Sequence, residues 1–159
     1  MVRIAVDAMG GDRGPAEIVA GALEAATDSI VPVLFGAAGL ETHGLELHET
    51  TDVIEMDEKP AEAVRSKPNS SLVASVRAVA EGTADAVVSA GNTGAMLAAG
   101  LLELRRIPGV MRPAIGVPIP SRRGPSLLID AGANADARPE HLLQFATKGA
   151  VFAENPKIT

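Results

Sequence analysis

Short apolar runs alternate along the chain with stretches of helical spacing, and this alternation predicts the elements. Residues 3–8 form an apolar strand that ends in the turn Met9-Gly10-Gly11-Asp12-Arg13-Gly14-Pro15. Pro15 suits a first helical position, and 16–26 carries helical spacing. A second strand is predicted at 30–35, stopped by Gly36. The stretch 37–44 is too short for an ordinary crossover helix, 45–48 reads as a third strand, and 53–56 is ambiguous. One or two helical turns at 60–65 precede a loop and cap at 67–71. That cap opens a helix over 72–81, which Gly82 ends. A strand at 84–88, a turn at 89–94 and a helix at 95–105 follow. Ile107-Pro108-Gly109 breaks that helix. Strands are predicted at 114–117 and 127–129, separated by 118–125. A polar turn at 130–138 leads into a last helix over 139–153.

Strands alternating with helices imply one α/β domain over 1–159, a mostly parallel, doubly wound sheet covered on both faces. The unbroken apolar character of Val87-Val88 and Leu127-Leu128-Ile129 fits strands buried on both sides. In such sheets ligands collect at the C-terminal strand ends. The turns 9–14, 89–94 and 130–134 all fall there, so a shared cleft is expected. No internal repeat or low-complexity tract interrupts the pattern.

Composition narrows the chemistry. The 159 residues are 47% hydrophobic, which argues against disorder, yet only 2% aromatic, so Ala, Val, Leu and Ile must build the core. Few aromatics and a net charge of −6 disfavour nucleic-acid binding. Without cysteine, disulfides, thiolate zinc sites and a cysteine nucleophile are excluded. His43, His48 and His141 lack metal-ligand spacing, so no metal is expected. No apolar stretch reaches the ~18 residues of a spanning helix. The start Met-Val-Arg-Ile-Ala-Val-Asp lacks a signal-peptide hydrophobic region, and a cytoplasmic location is expected.

The strongest local feature is Ser89-Ala90-Gly91-Asn92-Thr93-Gly94, between a strand and a helix. A helix start offers unpartnered N–H groups and partial positive charge, so it holds an anion without a lysine. Gly91 and Gly94 let the main chain approach a ligand, and Ser89, Asn92 and Thr93 add polar side chains. Taken alone, such a turn is as often structural. It is neither a Gly-Lys-Ser/Thr phosphate loop nor a nucleophile elbow, since Val87 stands where the elbow needs glycine. Asp7 and Asp12 flank Gly10-Gly11. Locally this is a tight turn with Asp12 as a cap, or an active-site rim with Asp7 at a strand end. It is not a dinucleotide fingerprint. Ser70 and Ser71, beside Asn69, Arg65 and Lys67, are helix caps or a second anion site. Asp130 and Asn134 close another strand, where the acid orients a basic group or satisfies turn N–H groups. Arg105, Arg106, Arg112, Arg122 and Arg123 form a solvated face, an acidic-partner patch or, at one position, a phosphate clamp.

In series, these segments resemble the bacterial phosphate acyltransferases of phospholipid synthesis, the PlsX family. The match comprises Asp-Ala-Met-Gly-Gly-Asp at 7–12, Ser-Ser at 70–71 and Ser-Ala-Gly-Asn-Thr-Gly-Ala at 89–95. It continues through Arg112-Pro113-Ala114, Asp130-Ala131-Gly132-Ala133-Asn134 and Leu143-Gln144-Phe145-Ala146 with Gly149. Each motif is weak singly; their order and spacing across 2–156 are specific. Family members are roughly twice as long, so the chain resembles their N-terminal half, with 36–50 shortened.

The resemblance implies an isocitrate dehydrogenase/phosphotransacetylase-like fold, truncated here, and a homodimer in the full-length family. It implies transfer of a long-chain acyl group from acyl carrier protein to inorganic phosphate. The acyl phosphate product feeds glycerol-3-phosphate acylation. No cofactor is implied, and peripheral membrane contact belongs to the later half. Phosphate can itself attack a thioester, so positioning and oxyanion stabilisation suffice. Phosphate is expected at 89–94, held by Asn92, Thr93 and main-chain N–H groups, with Ser70 and Ser71 as second donors. Gly10, Gly11, Arg112 and Asn134 complete the expected substrate-binding set. Asp7, Asp12 and Asp130 organise the pocket or manage a proton, a choice the sequence leaves open. The alternatives are a phosphotransacetylase-like reaction with coenzyme A thioesters, a phosphate-binding fragment without turnover, and a structural fragment that needs its missing half or a second chain to fold.

Overall fold

β1 (Val2–Asp7) runs up the middle of a parallel sheet because its side chains are apolar on both sides. The computed structural model describes residues 1–122, 124–134 and 136–154. These form two compact units, 1–105 and 106 onward, each described by itself. In the first unit β1 is followed by α1 (Pro15–Ala25), β2 (Ile30–Ala37), β3 (Glu46–Thr50), α2 (Pro60–Ser66), α3 (Ser71–Ala80), β4 (Ala86–Ser89) and α4 (Thr93–Glu103). The strand order is β3-β2-β1-β4, all parallel, with Ala5 between Val33 and Val87.

Period-two alternation divides the core between the two faces. Ala5, Val33 and Phe35 pack with Ala78 of α3 and with Ala84. Val6, Ala8 and Leu34 pack with Val19 and Ala22 of α1. A third cluster joins Ile54, Ala63, Val64, Leu72, Val73, Val76, Ala95 and Ala99 beneath α2, α3 and α4. Alanine at the strand–helix contacts stands in for the missing aromatics, because small side chains let helices lie close to the sheet. The ambiguous 53–56 is neither helix nor strand, but it buries Ile54. The β2–β3 link holds no helix, as its length predicts, and turns through Gly39 (φ 78) and Gly44 (φ 95).

At the N-terminal end of the sheet, Arg3 ties three strands together. Its main-chain N–H donates to Asp85 at 2.7 Å, and its guanidinium donates to Thr83 O and to both carboxylate oxygens of Glu46. That bidentate pair, with His48, holds the Glu46 carboxyl below the usual range.

The second unit departs from the expectation of further parallel strands. β5 (Gly116–Ile119) and β6 (Ser126–Ile129) pair antiparallel as a separate two-stranded sheet. Only six residues, 120–125, separate them, with Arg122 bridged to Gly124, and that link is too short for a parallel crossover. Pro118 is accepted because an isolated ribbon has only edges. α5 (Pro139–Ala153) packs on β6 through Gly149, whose missing side chain leaves room for Ile129.

Glycine sets a close approach within the first unit. A Cβ at Gly10 would lie 2.6 Å from Asp7 Oδ2 and 2.8 Å from Gly91 N. Gly10→Ala is therefore expected to lower stability by about 1–3 kcal/mol. Gly21, mid-helix in α1 with open space around it, is the control. Gly21→Ala should raise stability by about 0.5–1 kcal/mol. Urea unfolding of the two variants checks both signs.

Candidate anion site at the start of α4

β1 and β4 end side by side, with Asp7 paired to Ser89. The turns that leave them, 8–14 and 90–92, lie against each other main chain to main chain. Beyond Gly10 on Gly91, a Cβ at Gly11 would come 3.2 Å from Ala90 O. Asp7 sits beneath both turns, 1% exposed. Its Oδ2 accepts from Ser89 Oγ at 2.7 Å, and Ser89 Oγ in turn accepts from Gly91 N at 3.0 Å. Asp7 Oδ1 is buried and has no hydrogen-bond partner among the described residues.

Asn92 caps α4, which therefore begins two residues earlier than the sequence predicts. Its Oδ1 accepts from Ala95 N at 3.0 Å. Its Nδ2 donates to the carbonyls of Glu55, Met56 and Glu58 at 3.3, 3.2 and 3.0 Å. The side chain is thus fully engaged, and buried, in tying the 55–58 loop to the helix start. Gly94 has a comparable use: a Cβ there would meet Pro60 Cγ at 2.5 Å, so its absence admits the first turn of α2. Thr93 is exposed. The N–H groups of Thr93 and Gly94, the first two of the helix, donate to no acceptor among the described residues. These two main-chain donors, the Thr93 hydroxyl and the dipole of an 11-residue helix are what this corner offers an anion.

The structure thus joins Asp7, Gly10, Gly11, Ser89, Gly91, Asn92, Thr93 and Gly94. Asp12 belongs to the same turn but is exposed. Ser70 and Ser71 are 0% and 1% exposed; Ser70 Oγ caps α3 by accepting from Val73 N at 3.4 Å. Their hydroxyls face no solvent. Arg112, Asp130 and Asn134 belong to the second unit. There Asp130 Oδ1 accepts from Ile115 N at 3.0 Å, and Oδ2 accepts from Asn134 N at 2.8 Å and Nδ2 at 3.0 Å. Burial opposes the ionised form, but these bonds outweigh it and hold the Asp130 carboxyl below the usual range. Of its two readings, the satisfied turn is the one observed. Asn134 also donates to Pro113 O, and Arg112 pairs with Asp136 at 2.7 Å. Lys148 donates to Arg112 O and lies 5.2 Å from the Phe145 ring centre. Burial draws its ammonium below the usual lysine range, against the opposing charge of Asp130. His141 is a helix-capping residue: its Nδ1 accepts from Arg138 N at 3.1 Å. Sequence reasoning missed the 55–58 carbonyls and Pro60. Their contacts are with main chain or with a missing Cβ, which leave no residue signature.

A strand-to-helix turn of this kind on a parallel sheet defines an α/β class of fold, and comparison with known proteins gives the family. The family model described as "Fatty acid synthesis protein" matches residues 2–157, and the chain belongs to that family. A phosphate acyltransferase of Desulfitobacterium hafniense (strain Y51) is 49% identical over 174 residues, covering 99% of this chain and 52% of that protein. One from Heliobacterium modesticaldum is 46% identical over 175 residues, again covering 99% and 52%. The chain thus spans about half the length of these curated relatives. The crystal structure of a branched-chain phosphotransacylase from Enterococcus faecalis V583 superposes with a TM-score of 0.58 at 18% identity, covering 97% of this chain and 51% of that one. This last likeness supports the fold alone. Among the described residues, no helix is long and apolar enough to cross a membrane.

Two outcomes test the site's construction. Asn92→Ala is expected to cost about 2 kcal/mol or more, losing a cap and three carbonyl contacts. Asn92→Asp should retain the cap but still destabilise, because a carboxylate then faces three carbonyls; thermal melts separate the two. For Asp130 the folded pKa lies below the unfolded value. Its stabilisation is therefore fully present well above the unfolded pKa, from about pH 5 upward, and is lost as pH falls through the folded pKa. The urea midpoint of the second unit should drop on acidification from about pH 5 to about pH 3, and less steeply in Asp130→Asn.

Proposed function

We propose that the chain is the phosphate-binding part of an acyl-[acyl carrier protein]:phosphate acyltransferase, which makes long-chain acyl phosphate for phospholipid synthesis. The observation that carries this reading is the open start of α4, with the Thr93 and Gly94 N–H groups unpaired among the described residues, next to two tightly joined turns. Near half identity to proteins named phosphate acyltransferases supports the same conclusion. Inorganic phosphate is held there by main-chain N–H groups and the Thr93 hydroxyl rather than by Asn92. One phosphate oxygen attacks the thioester carbonyl, the C–O bond forms, the C–S bond breaks and the carrier thiol leaves with a proton. The protein contributes position and a dipole, and needs no nucleophile of its own. Acyl carrier protein, the acyl chain and a second copy of the full-length protein are the partners this reading calls for. Its setting is cytoplasmic, with peripheral membrane contact in the full-length form.

Phosphate is added with long-chain acyl-[acyl carrier protein] or acyl-coenzyme A, and acyl phosphate is trapped as the hydroxamate. Product from the carrier-protein thioester is expected. Product from coenzyme A alone would move the reaction to the phosphotransacetylase type. Phosphate binding without product from either would leave a binding module. Thr93→Pro compared with Thr93→Ala isolates the main-chain donor, since both lack the hydroxyl and only proline lacks the N–H. Proline is tolerated at a first helical position, and Asn92 already has the extended geometry (φ −59, ψ 111) that precedes proline. The proline variant should melt like the parent yet bind phosphate roughly tenfold more weakly than Thr93→Ala.

A further inference from the structure

We infer that the cavity between α1 and the 38–43 loop is the subsite for the hydrocarbon chain of the acyl substrate. The inference rests on the acyl-transfer reading above and adds to it the place where the chain lies.

A cavity of about 300 Å³ runs along α1. Pro15, Ala16, Val19, Ala20 and Leu23, which share one face of the helix, form one wall, and Leu40 stands opposite. Val19 is buried, and Leu23 and Leu40 pack on the core cluster that joins α1 to β1 and β2, so core side chains make the floor. The β2–β3 link accounts for the empty space. It holds no helix and turns through Gly39 and Gly44, so it passes α1 without a packed face to lay against it.

The walls define the occupant. Every lining residue is aliphatic except Glu41 and His43, and both of those are exposed. A water molecule needs two to four polar partners, which such walls do not supply, so an apolar guest is favoured over water. From Pro15 to Leu23 the helix rises about 12 Å. Spread over that length, 300 Å³ leaves a mean cross-section of about 25 Å². One extended hydrocarbon chain fits that width, whereas an α-helix, about 10–12 Å across, does not.

Position identifies the chain as the acyl group. Pro15 directly follows the turn 8–14, which packs on the turn 90–92. Leu40 meets the start of that same turn. Around the place where a Cβ of Gly36 would stand, Leu40 Cδ2, Ala8 Cβ and Met9 Sδ lie at 2.9, 3.3 and 3.6 Å. Met9 precedes Gly10, whose main chain crowds Gly91. One turn therefore borders both the cavity and the corner assigned to phosphate, and a chain lying along α1 has its head at the Pro15 end.

Calorimetric titration with straight-chain primary alcohols from butanol to decanol tests this. These probes are uncharged, so the result is independent of phosphate binding and of turnover. Affinity should rise roughly fourfold with each added CH₂ and level off once the chain outgrows the cavity. Ala16 and Ala20 are exposed positions of α1 where leucine is a good helix former. Ala16→Leu and Ala20→Leu each place a side chain in the cavity and should weaken decanol binding about tenfold or more. Either variant decides if the other fails to fold. Decanol should also displace decyl phosphate, a stable analogue of an acyl phosphate. Affinity independent of chain length, unchanged affinity in the leucine variants, or no displacement of decyl phosphate would overturn the inference. Acyl transfer persisting beside such a result would leave the enzymatic reading intact. Graded binding by a chain that transfers no acyl group would leave the alkyl-chain site standing while that reading fails.

Discussion

Main chain meets main chain at Gly10 and Gly91 with no space for a methyl group, and the candidate site depends on that contact. It brings the turn after β1 onto the turn after β4, closes both over Asp7, and fixes where α4 begins. Side-chain hydrogen bonds then act on an arrangement already set by shape. Ser89 links the carboxylate to the second turn, and Asn92 links the helix start to the 55–58 loop. The glycines of both turns, which a sequence reader assigns to ligand approach, have a sufficient reason in the contact between the turns and in Pro60.

Much of the fold was legible because its causes are local. Apolar runs gave β1, β2 and β4. Pro15 marked the start of α1, and the strand-turn-helix order gave a parallel sheet with its loops at one end. The missing β2–β3 helix followed from the length of the link. Pairing direction was not legible in the second unit. Apolar runs at 116–119 and 126–129 look the same whether they pair parallel or antiparallel, and only the shortness of the link between them decides.

The site was legible in outline and not in detail. The position of the α4 start followed from strand, glycine and capping residue. The use made of Asn92 did not, since its partners are three carbonyls 34, 36 and 37 residues earlier in the chain. A carbonyl is present at every residue, so no sequence pattern marks the ones that are used. Ser70 and Ser71 show the same limit: a cap and an anion donor need the same residue types, and only burial distinguishes them.

The exposed donors at the start of α4 belong to peptide groups, and every amino acid except proline supplies the same N–H. Trimming side chains there one at a time would pass over them and credit the surrounding scaffold instead. Their contribution is visible to changes that remove the amide hydrogen, such as a proline or an ester in place of one amide.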